Sequence, residues 1–312
     1  MIKTQTTPNI LMVRPASFGF NEETAENNAF QVNDQSLSPQ EIKSKAIAEF
    51  DQFVIKLKTH GILVSVFQDS DSPTKPDAIF PNNWISFHED GSVITYPMYS
   101  PKRRLERTDE VLNLLEHDFW ITEHIHLEDA EEDNKYLEGT GSMVLDRENQ
   151  IAYACISQRT DVNLLDQFCE IVGYNPISFV STDSNDELVY HSNVMMAIGE
   201  DFAVVCLDSI KNTTERQVLI DSFEETDKEI IPISLEQMNQ FAGNMLQVRS
   251  VQGDRYLVMS ETAKNCLNEK QIASINKHTR ILTGKIPTIE KYGGGSVRCM
   301  MAEVFLPEKS LS

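Results

Sequence analysis

Apolar positions along the chain recur at two spacings that alternate with each other. Ser38-Pro39-Gln40-Glu41 supplies an N-cap serine, a proline at the first helical position and a glutamate at the third. Ile42, Ala46, Phe50, Phe53, Val54 and Leu57 then recur at helical spacing as far as Gly61, after which Ile62 to Phe67 reads as a strand. Further on, Trp84 to Phe87 and Val93 to Tyr96 flank the turn sequence His88-Glu89-Asp90-Gly91, which predicts a hairpin.

The order helix, strand, hairpin repeats. Helical patterns begin near Ser38, Ser100, Thr160, Lys211 and Asn268. Short β-like runs follow them at Leu63 to Phe67, Phe119 to Ile121, Ile177 to Val180, Ile230 to Ile233 and Ile281 to Thr283. Hairpins come next: Ser142 to Asp146 with Ile151 to Ile156, Val194 to Ile198 with Phe202 to Leu207, and Met245 to Val248 with Tyr256 to Met259. Arg298 to Phe305 forms half of a fifth hairpin, which Asn9 to Val13 closes. Residues Asn83, Glu138, His191, Asn244 and Cys299, each in the segment that leads into a hairpin, are separated by 55, 53, 53 and 55 positions. Near-constant spacing is the mark of a repeat architecture. Length alone, at 312 residues, suggests two domains of about 150 residues each. The spacing replaces that picture with one domain, residues 1–312, built of five units whose equivalent loops converge on a ring axis.

Composition narrows the function. The chain is 40% hydrophobic and 24% charged, which suits a compact core. Its 27 basic and 48 acidic side chains give a net charge of −21, a surface that repels phosphate backbones and anionic lipid, so nucleic-acid and membrane partners are not expected. No apolar run reaches membrane-spanning length and the N-terminus lacks a signal peptide, so a soluble, cytoplasmic protein is expected. Five cysteines without CxxC spacing argue against a disulfide framework and a structural zinc site. His124 and His126, with Glu123, Glu128 and Asp129 nearby, read as a solvated strand edge, and no metal is assigned.

Convergence of the loops would bring Glu138, His191 and Cys299 together. A cysteine, a histidine and a carboxylate are the minimum set for thiol nucleophilic catalysis. Cys299 is the best nucleophile of the five cysteines, because Gly293-Gly294-Gly295 permits close backbone approach and Arg298 adds positive charge that favours thiolate. Cys155 and Cys206 lie in apolar β runs and Cys169 in a helical one, and these are expected to be inert.

The segments Phe80-Pro81-Asn82-Asn83-Trp84, Leu137-Glu138-Gly139-Thr140-Gly141-Ser142, Tyr190-His191-Ser192-Asn193 and Gly293-Gly294-Gly295-Ser296-Val297-Arg298-Cys299 resemble the ordered motifs of the guanidino-group-modifying enzymes. The likeness runs from about Met12 to Phe305 and is strongest to arginine-deiminase-related proteins, called amidinotransferases or citrulline-utilisation hydrolases. It implies the pentein fold, an α/β propeller of five ββαβ blades, with no cofactor. It also implies roles: Cys299 as nucleophile, His191 as general acid and base, and Glu138 as the carboxylate that contacts substrate nitrogens and His191. Asn83, Asn193 and Gly141 stand where many members carry carboxylates. Asn83, Asn193, Asn244 and Arg298 are expected to bind substrate, and asparagine offers both a donor and an acceptor. A guanidinium is a cation held best by carboxylates, whereas a ureido group is neutral and presents a carbonyl oxygen, so the substitutions favour a ureido substrate such as citrulline or leave Glu138 as the main anionic partner of a guanidinium.

For a substrate with an amino-acid end, Arg104, in the basic cluster Lys102-Arg103-Arg104 and Arg107, is the candidate partner of the carboxylate. The expected partner is a small guanidino or ureido amino acid, and homo-oligomerisation is left open. Two other readings stand beside hydrolysis: an amidinotransferase that passes the amidino group to an amine, and a non-catalytic binding protein of the same fold.

Overall fold

The computed structural model of the chain describes residues 3–25, 28, 30–32 and 36–309. Five three-stranded sheets organise it. The first combines Ala302–Glu303, Asn9–Arg14 and Leu63–Gln68, and the second Ile85–Phe87, Ser92–Thr95 and Glu123–His126. Val144–Asp146, Ile151–Cys155 and Asn175–Phe179 make the third, Met196–Ile198, Phe202–Val205 and Glu229–Pro232 the fourth, and Leu246–Arg249, Arg255–Ser260 and Arg280–Gly284 the fifth. In every sheet the middle strand pairs antiparallel with the first strand named and parallel with the third. Parallel pairing needs a crossover. Helices supply it, including Pro39–Thr59, Glu110–Leu115, Val162–Val172, Thr213–Glu225 and Glu269–His278, so each unit is ββαβ as the resemblance implies.

The middle strands close the ring because they are apolar on both faces. Ile10 and Met12 pack toward the fifth sheet while Leu11 packs toward the second. Val93 faces the first sheet and Ile94 the third; Ala152 and Ala154 face the second, Tyr153 and Cys155 the fourth. Val258 turns toward the first sheet, and its neighbours Leu257 and Met259 toward the fourth. Successive side chains of a strand point to opposite faces, so a strand buried between two neighbours reads as a continuous apolar run.

The helix predicted from Ser38 is present, and its capping box is complete: the Ser38 hydroxyl accepts the Glu41 N–H at 3.3 Å while the Glu41 carboxylate accepts the Ser38 N–H at 2.8 Å. Asn212, Asp161 and Asn268 cap three of the other crossovers with their side chains. The strand predicted at Phe119 to Ile121 is displaced. Phe119 is buried in the core and makes a single bridge to Glu308, and the strand that pairs with Ser92–Thr95 is Glu123–His126, a polar edge with little apolar signal. His126 Nδ1 lies 2.8 Å from Glu128 there. The strands expected to begin at Ser142 and Val194 start two residues later, after the short helical turns Gly139–Ser142 and Ser192–Met195. Among the described residues no helix is long and apolar enough to cross a membrane.

One ion pair ties the third unit to the fourth. Lys228 Nζ lies 3.1 Å from Asp146 Oδ2, with both side chains fully buried, and donates to the Glu200 carbonyl at 3.0 Å. Removing one partner of such a pair strands the other charge, so Lys228→Met is expected to lower unfolding free energy by roughly 3 kcal/mol. Urea titration measures this, and a loss under about 1 kcal/mol would mean that the pair does not secure the ring.

Candidate active site

The turn that precedes each first strand carries the side chains singled out by spacing. Asn83 closes the 3-10 turn Pro81–Asn83, Glu138 and His191 sit at the N-caps of Gly139–Ser142 and Ser192–Met195, and Cys299 follows the glycine loop with its N–H on the Ser296 carbonyl. All four are buried. Glu138 Oε2 lies 2.7 Å from His191 Nε2, and the Tyr99 N–H donates to Glu138 Oε1 at 2.9 Å. Asn244 Nδ2 reaches Cys299 Sγ at 3.2 Å and Asn193 Nδ2 reaches it at 3.5 Å. Asn83, His191 and Cys299 line one chamber with about 20 Å³ of free volume, together with Asp77, Arg103, Arg159, Tyr190 and the glycine loop.

Two expectations are corrected. Arg104 is turned away: its Nε donates to the Met98 carbonyl at 3.0 Å and lies 3.2 Å from Glu131. The preceding residue enters the site instead, since one residue along a helical turn rotates the side chain by about 100°. Arg103 is buried, pairs with both oxygens of Glu106 at 2.9 Å, and donates to Asn83 Oδ1 at 2.7 Å and to the Phe80 carbonyl at 3.1 Å. Arg298 also leaves the site, because its guanidinium binds the Met301 carbonyl at 2.9 Å and Glu303 at 2.8 Å, so its charge is met there and not by the thiol.

Sequence reasoning passes over Asp77 and Arg159. Asp77 Oδ2 accepts from Asn21 at 2.7 Å and from Thr24 at 3.2 Å, while its buried Oδ1 has no hydrogen-bond partner among the described residues. Arg159 lies 3.5 Å from Glu138, donates to the Thr24 carbonyl at 3.0 Å and sits over the Tyr190 ring. The available signal for Asp77 was a lone acid directly before the apolar run Ala78-Ile79-Phe80; Arg159, in a short strand-to-helix connection, offered none.

Electrostatics set the resting state. Burial pushes the Glu138 carboxyl up, but Arg159, His191 and Arg103 outweigh it and hold it down at about 2. Burial pushes His191 down to about 4 against the pull of Glu138, leaving the ring neutral at neutral pH. With an ionised carboxylate at Nε2, the proton is assigned to that nitrogen and the lone pair to Nδ1. Burial also raises Asp77, against Arg103 and its hydrogen bonds, and raises Glu106 to about 7. Cys155 and Cys169 are pushed up to about 12 by burial, and Cys206 and Cys266 are raised by the same cause, which keeps these four as thiols.

The site also leaves hydrogen-bonding groups unmet. Among the described residues, Asp77 Oδ1 and Asn193 Oδ1 are buried acceptors without a donor, and Asn83 Nδ2 is a buried donor without an acceptor. Gly141 abuts the last of these: a Cβ there would lie 2.3 Å from Asn83 Nδ2 and 2.8 Å from His191 Nδ1. A planar group with several N–H donors and one acceptor atom complements this set, beside the Cys299 thiol and the His191 ring.

The described residues can be compared with known proteins at this level. A family model described as N,N dimethylarginine dimethylhydrolase, eukaryotic, matches residues 14–306. No curated protein matches. Among solved structures, the apo form of ArgZ, an arginine dihydrolase from the ornithine–ammonia cycle in cyanobacteria, superposes with TM-score 0.75 at 16% identity, over 97% of this chain and 41% of that one. The chain thus spans about two fifths of that protein. The N-terminal domain of ArgZ, as a cysteine-to-serine variant bound to substrate, gives TM-score 0.74 at 14% identity over 96% of this chain and 98% of that one. A dimethylarginine dimethylaminohydrolase, as a histidine-to-glycine variant in adduct with S-methyl-L-thiocitrulline, gives 0.62 at 14% identity over 95% and 98%. With the family model matched across nearly all of its length and a ring of five ββαβ units beneath it, the chain belongs to the N,N-dimethylarginine dimethylhydrolase family of the pentein guanidino-modifying superfamily.

Proposed function

We propose that residues 1–312 form one catalytic domain, a cysteine-dependent hydrolase that cleaves a C–N bond of a guanidino or ureido amino acid through a covalent intermediate on Cys299. The observation that carries this reading is one chamber holding the Cys299 thiol, a neutral His191 and an Asp77 carboxylate oxygen that has no hydrogen-bond partner among the described residues. Solved relatives support it by what they hold: substrate on an arginine dihydrolase domain, and a covalently bound reaction intermediate on an asparagine-to-serine variant of that domain. Five free cysteines suit a reducing, cytoplasmic setting.

In the proposed cycle the Cys299 proton passes to His191 Nδ1, and the imidazolium is stabilised by ionised Glu138. The sulfur lone pair forms a bond to the central carbon, and the displaced π pair moves onto a nitrogen or, for a ureido group, the oxygen. Collapse of this adduct breaks a C–N bond, and His191 returns its proton to the departing nitrogen. Water then attacks the thioester-like carbon, His191 takes its proton, and the sulfur leaves. Asp77 Oδ1 and Asn193 Oδ1 accept guanidino N–H groups. Asn83 Nδ2, fixed as a donor because Arg103 occupies its oxygen, suits the oxygen of a ureido group. Arg103, paired with Glu106, and Arg159, 3.5 Å from Glu138, are the cationic side chains that line the chamber. The same intermediate would serve an amidinotransferase if an amine replaced the water.

Purified protein incubated with arginine, methylarginines, agmatine or citrulline is expected to release ammonia or amine from guanidino substrates and from citrulline. Turnover of arginine with none of citrulline would remove the ureido part, and a product made only with glycine or ornithine present would favour transfer. Cys299→Ala is expected to retain less than about 1% of activity, and greater retention would contradict the covalent route. A base must be neutral to act, so the acidic limb of the kcat/KM profile is expected near pH 4 and not near the ordinary histidine value of 6.5. Gly141→Ala, which drives a methyl into Asn83 and His191, is expected to cut kcat by roughly tenfold or more with the fold intact; unchanged kcat would show that the two side chains need not hold these positions.

A further inference from the structure

Against the Cys299 sulfur lies a hydrogen-bonded set that the cycle above leaves unused. Asn244 is buried, and its Oδ1 accepts the Arg298 backbone N–H at 3.0 Å. That bond fixes which end of the amide is the donor. Nδ2 accordingly points to Cys299 Sγ at 3.2 Å and to the Asn193 carbonyl at 3.1 Å. Turning the amide over would break the Arg298 bond and set an oxygen against both the sulfur and a carbonyl. The backbone that holds the donor belongs to the residue immediately before the nucleophile, so donor and sulfur are held by the same turn.

The physical need for such a donor is plain. A buried sulfur that loses its proton carries a charge that burial penalises unless a hydrogen bond meets it. A cationic guanidinium brings compensating charge with it, whereas a neutral ureido group brings none. Arg298, the nearest arginine in sequence, is spent on Glu303. A preorganised neutral donor works for either substrate, because it costs no reorganisation when the charge appears.

We infer that Asn244 is a further catalytic residue: its amide N–H, aimed by the Arg298 backbone, carries the negative charge that develops on the Cys299 sulfur, so the protein itself activates the thiol and a neutral ureido carbon is attacked as well as a cationic guanidino one. This rests on Cys299 being the nucleophile.

The test uses two alkylating reagents on the full chain, neutral iodoacetamide and cationic chloroacetamidine, with peptide mapping of the labelled residue. In the unsubstituted protein without substrate, Cys299 is expected to react with both. Asn244→Asp keeps the shape and the acceptor for Arg298 N–H but sets an oxygen against the sulfur. It is expected to slow iodoacetamide labelling of Cys299 about tenfold or more, and to lower kcat by a similar factor with KM little changed. Labelling of Asn244→Asp at the unsubstituted rate would overturn the inference while leaving the nucleophile in place. Reaction of the unsubstituted protein with chloroacetamidine alone would also overturn it, since the reagent's charge would then do the activating, and this readout needs no variant to fold. Label on another cysteine would sink the nucleophile assignment and the inference with it.

Discussion

Each middle strand of the ring is buried on both faces, and the place of every functional side chain follows from that. A strand such as Ile151–Cys155 gives Ala152 and Ala154 to one neighbour and Tyr153 and Cys155 to the other. Because no face is left for solvent, polar residues collect at strand ends and in the turns that lead into the first strands. Those turns meet at the axis of a five-membered ring. Glu138, His191 and Cys299, far apart in sequence, are neighbours for this reason alone.

Bringing charge into so closed a centre imposes a second condition. Glu138 has no exposed surface, yet it is held ionised because Arg159, the His191 N–H and Arg103 surround it. Arg103 in turn is balanced by Glu106. The charges form a chain in which Glu138 meets Arg159 and His191 and Arg103 meets Glu106, while Asp77 Oδ1, Asn193 Oδ1 and Asn83 Nδ2 have no partner among the described residues. A folded core tolerates few unmet polar groups, and those beside Cys299 and His191 are placed where a ligand would complete them.

Much of this was legible before the coordinates. Regular spacing in the chain pointed to five units, to the Ser38 cap and to the residues that converge at the axis, because apolar periodicity and turn chemistry are local signals. Other features left no local trace. Glu123–His126 is a strand whose pairing, and not its composition, makes it one, so the apolar Phe119 drew attention away from it. Arg104 and Arg103 are indistinguishable as letters, and only the rotation of a short turn decides which of them enters the chamber. Asp77 and Arg159 become meaningful once burial and an unpaired oxygen are known. The N-terminal segment that carries Thr24, Asn28 and Gln31 over the site has no repeat counterpart from which it could have been read.

That segment has a consequence for the chemistry. Asn28 donates to the Gly294 carbonyl at 3.3 Å and Gln31 to the Gly293 carbonyl at 3.0 Å, so the roof is fastened to main-chain oxygens that no substitution in the glycine loop removes. Beneath it there is space for about one water molecule. With so little room, an occupant larger than a water has to displace side chains that line the chamber, and those of Asn28 and Gln31 are held by the main chain of the glycine loop.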